Sequence, residues 1–241
     1  MSPRPDSMLE WAAGGTAAFE AAVDRVTDAG LARPSHLPGW SRAHVVAHVA
    51  RNADALVNLL TWARTGVETP MYATTDQRAS EIEEGAGRPV GELRAALLAA
   101  DGRLAEELTT LPEECWDATV RTVRGREVPA SEVAWMRVRE VWVHAVDLNT
   151  ETTFDDVSRE VCAALVDDMA ATSRSRPEFP PVELRAEDGG RTWLLGTPGT
   201  ADPVVVSGDT PSLTTYVTGR PVPGPLHPAG GASVPKLPAW L

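Results

Sequence analysis

Apolar residues in the first half of the chain recur every three or four positions, the spacing of helices that bury one face. The series Leu9, Ala12, Thr16, Phe19, Val23 and Val26 predicts a first helix, with Gly30 as its stop. The turn Leu37-Pro38-Gly39-Trp40 leads to Ser41, an N-cap for a second helix that runs to about residue 63. A loop rich in Thr, Gly and Pro follows over residues 66–75, then a mixed polar stretch as far as Gly87. Leu93, Leu97, Leu104 and Leu108 mark a third helix that ends before Pro112. Residues 119–123 alternate as a strand or irregular segment, Gly125 marks a turn, and a fourth helix is expected over residues 130–149. Four long amphipathic helices pack most simply as a bundle, which builds metal and cofactor sites between facing helices.

Beyond Thr150 the pattern changes. Val157, Val161, Leu165 and Met169 suggest one more helix, and residues 182–185, 192–195 and 204–206 are short β-prone runs between Gly, Pro and Asp. Residues 210–218 read as a short helix closed by Gly219, and the Pro- and Gly-rich residues 221–238 as an extended surface tail. The expected fold class is multidomain: an all-α four-helix bundle over residues 1–152, followed by a small α+β domain over residues 153–241.

Two stripes break the apolar pattern. Inward positions of the fourth helix read Val133, Met136, Glu140, His144 and Leu148; those of the second read Val45, His48 or Val49, Asn52, Leu56 and Leu59. A buried carboxylate costs several kcal/mol unless a cation or hydrogen bonds compensate it. Two His and one Glu from two helices make a three-ligand set suited to zinc with one position open. The same spacing also fits a hydrogen-bonded Glu–His pair beside a satisfied core histidine, and spacing alone leaves both readings open. His44 stands four residues before His48, but Val45 follows it where a His-Glu-x-x-His protease motif needs Glu; a structural or supporting role is expected. His36 and His227 fall in loops and are expected to be solvated. Trp135 and Trp142 lie beside the polar stripe and could wall a pocket, although core packing is the ordinary use. Arg220, just past Gly219, reads as a solvated side chain unless a cleft opens beside it.

Composition removes several function classes. A net charge of −12 over 241 residues repels nucleic acid and anionic membranes. No apolar run approaches the roughly 20 residues of a spanning helix. No apolar signal region follows residues 1–6, so a cytoplasmic location is expected. Cys115 and Cys162 lie in no paired metal motif and are expected to be reduced, unreactive thiols. There is no nucleophile elbow, phosphate-cradling loop or dinucleotide fingerprint.

Several segments together carry a family resemblance across essentially the whole chain. They are Leu37-Pro38-Gly39-Trp40-Ser41-Arg42, Ala47-His48-Val49-Ala50-Arg51-Asn52-Ala53, Glu68-Thr69-Pro70-Met71-Tyr72, Val128-Pro129-Ala130-Ser131-Glu132, residues 139–148 around Glu140 and His144, and the ending Leu237-Pro238-Ala239-Trp240-Leu241. They resemble the mycothiol-dependent maleylpyruvate isomerases, and the N-terminal part is similar more broadly to DinB-like metal-binding bundles. The resemblance implies zinc ligands at His48, Glu140 and His144, an important C-terminal arginine at Arg220, and two cofactors, Zn2+ and mycothiol. It implies conversion of maleylpyruvate to fumarylpyruvate in gentisate breakdown, with a small dianionic substrate and mycothiol as partners; the charge speaks against nucleic acid and membrane, and a monomer is only a working expectation. A cis double bond becomes trans only if it is made temporarily single, which thiolate addition, bond rotation and elimination accomplish. Zinc keeps a coordinated thiol deprotonated near neutral pH, and a guanidinium can hold the carboxylate and the developing enolate. Distant surface acids are screened beyond about 8 Å, so the local cations prevail over the net charge. Two rivals share much of this pattern: a mycothiol S-transferase that conjugates electrophiles, and a non-catalytic metal-binding bundle, which gives Arg220 and the second domain no role.

Overall fold

The computed structural model describes residues 5–199, 201–221 and 224–239, so the closing Trp240-Leu241 of the family-like tail lies outside the described residues. The chain divides into two compact units, residues 1–152 and 153–241.

The first unit contains the four expected long helices: α1 (Asp6–Arg25), α3 (Arg42–Thr65), α5 (Val90–Thr110) and α6 (Glu132–Asp147). Between the first two lies the short α2 (Asp28–Leu31), and between the next two α4 (Thr75–Ala86). Helix α3 is the central element, packed on α4, α5 and α6, while α1 lies along α6. This explains why α3 is buried on more than one face, with Val45, Val46, Val49, Leu56, Leu59 and Leu60 all fully enclosed. Its N-terminus is the expected Ser41 cap, whose hydroxyl accepts from the His44 N–H, and Gly66 closes it in a left-handed conformation at φ 71°.

Two sequence expectations are corrected here. Gly30 does not stop the first helix; α1 ends at Arg25, Val26 is extended, and Thr27 starts α2 by accepting from the Gly30 N–H at 3.1 Å. The polar stretch before Gly87 contains helix α4, with Thr74 as its cap. Its only buried side chain is Ile82, so it has no apolar stripe to read. It docks through small residues instead: a Cβ on Gly85 would stand 2.9 Å from the Ala47 Cβ. The irregular segment after α5 is a hairpin, β1 (Thr119–Arg121) paired antiparallel with β2 (Glu127–Pro129) around Gly125.

The second unit holds α7 (Arg159–Ser173), β3 (Val182–Ala186), β4 (Thr192–Leu195), β5 (Val204–Gly208), α8 (Thr210–Val217) and β6 (His227–Pro228). The strand order is β4-β3-β5-β6, with β3 and β5 parallel and the other two pairs antiparallel. Alternate strand residues Val182, Leu184, Leu195 and Val206 are buried, as are Leu165 and Met169 of α7 and Leu213 of α8. The tail expected to lie extended on the surface contributes β6, an edge strand where proline is tolerated because one side needs no donor. Among the described residues no helix is long and apolar enough to cross a membrane.

Candidate metal centre

The facing surfaces of α3 and α6 bring His48, Glu140 and His144 together. One ligand atom from each lies within 4.8 Å of the other two, the one such cluster of three among the described residues. Glu140 and His144 meet because residues four apart share a helix face. The Glu140 Oε2 atom stands 3.0 Å from His48 Nε2 and 3.3 Å from His144 Nε2. Despite those distances neither ring N–H is aligned on it, so Oε2 is a buried acceptor without a hydrogen bond. The two imidazoles meet edge to face with centroids 4.8 Å apart. The side chains are 7% exposed for His48, 12% for His144 and 21% for Glu140.

Charge is unequally shared among the three. Burial favours protonation of Glu140, but the two histidines outweigh it and hold the carboxyl well below the usual range. Burial pushes His48 down against the pull of Glu140, so its ring stays neutral. Burial acts the same way on His144, yet its contacts with Asp147 and Glu140 raise it to about 9. Asp147 is fully buried and accepts from His144 Nδ1 at 2.8 Å, which fixes that ring with Nε2 facing Glu140. A metal that takes Nε2 displaces a proton there. Behind His48 stands a different group, the Arg78 guanidinium, with Nη2 3.2 Å from Nδ1.

Two imidazoles and a carboxylate converging from two helices, with an acceptor oxygen no N–H satisfies, fit a divalent ion of the zinc type with an open position. Asp147→Ala is expected to weaken metal binding about 10–100-fold by releasing the His144 ring, measured by competition with a chelating dye. Unchanged affinity would show that packing of α6 alone orients that ring.

The other residues noted in the sequence have settled places. His44 belongs to the cap of α3: its Nδ1 accepts from the Ser41 N–H at 3.2 Å, its Nε2 is 3.2 Å from Glu83 Oε2, and Trp40 stacks on it. His36 and His227 are exposed. Trp142 packs between α1 and α6, its Nε1 donating to the Trp11 carbonyl at 3.0 Å, and Trp135 is buried. Cys162 is buried, and desolvation pushes its thiol up to about 12, so it supplies no nucleophile. Arg220 follows Gly219 (φ 74°) beyond α8, half-buried, with its backbone N–H donating to Thr215 O at 3.0 Å and its guanidinium to Thr218 O.

Two groups escaped the sequence reading. Arg137 is 1% exposed and binds Asp101 of α5 together with the Val49 carbonyl and Asn52 of α3. Both were legible as stripe anomalies: Asp101 lies between Leu97 and Leu104, and Arg137 one turn before Glu140. Arg78 lies on α4, a helix whose pattern gave no sign of facing a site.

The helical unit has a YfiT-like fold, here with a His/Glu/His cluster between its helices that could hold a metal ion, and it is followed by a domain with a small mixed sheet. The chain belongs to the mycothiol maleylpyruvate isomerase family: residues 12–149 match the model of its N-terminal domain and residues 156–236 that of its C-terminal domain. A crystal structure of a mycothiol-dependent maleylpyruvate isomerase is similar over 100% of both chains, at 36% identity and a TM-score of 0.92. A histidine-to-alanine mutant of such an isomerase is similar over the same extent, at 35% identity and a TM-score of 0.91. YfiT from Bacillus subtilis, with an unusual four-helix bundle topology, shares the fold at 21% identity and a TM-score of 0.51, over 62% of this chain and 90% of its own. No protein of curated function matches.

Proposed function

We propose that the protein is a zinc- and mycothiol-dependent cis–trans isomerase that converts maleylpyruvate to fumarylpyruvate. The observation that carries this reading is the convergence of His48, Glu140 and His144 in a chain that matches both domains of the family. When bound, the ion and the thiol supply a thiolate nucleophile near neutral pH, which is what temporary saturation of the double bond requires. His48, Glu140 and His144 would hold the ion. Asp147 keeps the proton of His144 on Nδ1, away from the ion. Arg220 is assigned to the anionic substrate, because a guanidinium pairs with a carboxylate in two parallel hydrogen bonds and stays charged as negative charge builds up. The buried, high-pKa thiol of Cys162 is consistent with a nucleophile that comes from outside the chain.

The test is conversion of maleylpyruvate by the purified, zinc-loaded protein with and without mycothiol. Fumarylpyruvate formed only with mycothiol supports the reading. No isomerisation, with conjugation of a panel of electrophiles instead, would replace it with a mycothiol S-transferase. Arg220→Ala is expected to lower kcat/KM by roughly 100–1000-fold with zinc content intact. Turnover at the wild-type level would move substrate binding to another residue.

A further inference from the structure

We propose that the pocket walled by α3, α4 and the loop joining them binds the hydroxyl-rich, non-thiol part of the thiol cofactor, an amino sugar joined to a cyclitol. The proposal rests on the mycothiol reading above and deepens it. The pocket has a volume of about 450 Å³, within the range that encloses small ligands. Its walls include Arg51, Asp54 and Asn58 of α3, Tyr72 of the loop, and Gln77 and Glu81 of α4.

Three observations point to this ligand. The first is that the loop is built into the wall. Segment 68–72 is among those the sequence singles out, yet it holds no metal ligand and forms no regular element. Asn58 Nδ2 fastens it by donating to the Pro70 and Met71 carbonyls, both at 3.3 Å.

The second is continuity with the metal centre. Tyr72 carries the Arg78 guanidinium over its ring at 5.7 Å, and Arg78 in turn touches His48. Arg51, Asp54 and Asn58 follow His48 by three, six and ten residues, or about 4.5–15 Å along the helix axis at 1.5 Å per residue. The wall thus continues along α3 from the turn that carries His48.

The third is the chemistry of the lining. Asp54 is paired with Arg51 at 2.5 Å, and Gln77 Nε2 donates to Glu81 Oε1 at 2.7 Å. Carboxylate and amide oxygens accept from sugar hydroxyls, while Gln77 and Arg51 offer donors in return.

The experiment uses the full-length protein and the double variant Gln77→Ala/Glu81→Ala, with zinc content and thermal midpoint as folding controls. Binding of thiol-free glucosaminyl-inositol is measured by calorimetry; the wild type is expected to bind and the variant to bind at least tenfold more weakly. The preference for mycothiol over N-acetylcysteine, as a ratio of kcat/KM values, is expected to fall tenfold or more in the variant. No fragment binding by the wild type, or an unchanged preference in an active variant, overturns the subsite. Fragment binding that depends on Gln77 and Glu81 in a protein without isomerase activity keeps the subsite and overturns only the isomerase reading.

Discussion

His144→Ala and His48→Ala are each expected to leave the protein without stoichiometric zinc and without turnover. The geometry makes the three ligands interdependent, since their donor atoms all lie within 4.8 Å of one another and no fourth His, Cys, Asp or Glu joins them among the described residues. Structural zinc sites bind with about 10–16 kcal/mol over four ligands, or roughly 3–4 kcal/mol each, so losing one imidazole weakens binding by about 100–1000-fold. The two variants differ in their side effects. His144→Ala also removes the hydrogen bond that His144 Nδ1 donates to the fully buried Asp147, whereas His48→Ala removes a ring that Arg78 touches from behind. His144→Ala is therefore expected to be the less stable of the two, with both as zinc-poor. Metal content after dialysis against a weak chelator measures the first effect and chemical denaturation the second. Stoichiometric zinc in either variant would remove that histidine from the ligand set and favour the hydrogen-bonded pair that the spacing alone also allowed.

The cluster was legible in the sequence because its residues break an apolar rule. Glu140 and His144 occupy inward positions between Met136 and Leu148, while between Val45 and Asn52 the spacing admits His48 or Val49, so periodicity pointed two of the three at the interior and left the third as one of a pair. That they meet one another depends on α3 packing against α6, which no local pattern encodes. Helix α4 was illegible for the opposite reason: it docks through Gly85 on Ala47 and buries only Ile82, so there was no stripe to find. Its absence from the sequence reading took Arg78 with it, together with a wall of the pocket beside the cluster. The end of α1 was misplaced because a glycine is only one way to stop a helix. Here the competing cap is Thr27, and the Val26 carbonyl left at the break is taken by Arg94 of α5. Strand β6 exists because β5 offers an open edge, and a proline-rich tail carries no alternation to announce the pairing.

Arg137→Met is expected to destabilise the bundle by about 3–5 kcal/mol at alkaline pH, because it strands Asp101 in the core. Arg137 is the one charged side chain that α6 buries against both α3 and α5 among the described residues, through Val49, Asn52 and Asp101. Burial raises Asp101 to about 7, Arg137 opposes that rise, and the nearby Glu20 of α1 reinforces it. Asp101 Oδ2 finds no donor of its own. The sign of the pH dependence follows. An acid raised in the folded state keeps a proton that the unfolded chain has lost, so the contribution of Asp101 to wild-type stability falls as pH climbs from about 4 to about 7 and then levels. Without Arg137 the folded-state value rises further, and the loss from Asp101 continues in the variant at about 1.4 kcal/mol per pH unit above 7, beyond the point where it has levelled in the wild type. The gap between the two is thus smallest at pH 5–6, where both fold with Asp101 protonated, and widest at pH 8–9. Adding Asp101→Asn to Arg137→Met removes the stranded charge, and the double variant is expected to recover most of the loss at high pH, since an uncharged pair of similar volume needs no ionic partner. Urea denaturation followed by helix ellipticity at three pH values reads all of this. A penalty that does not change with pH, or a double variant no better than Arg137→Met alone, would mean that Arg137 acts by packing its stem rather than by holding a carboxylate.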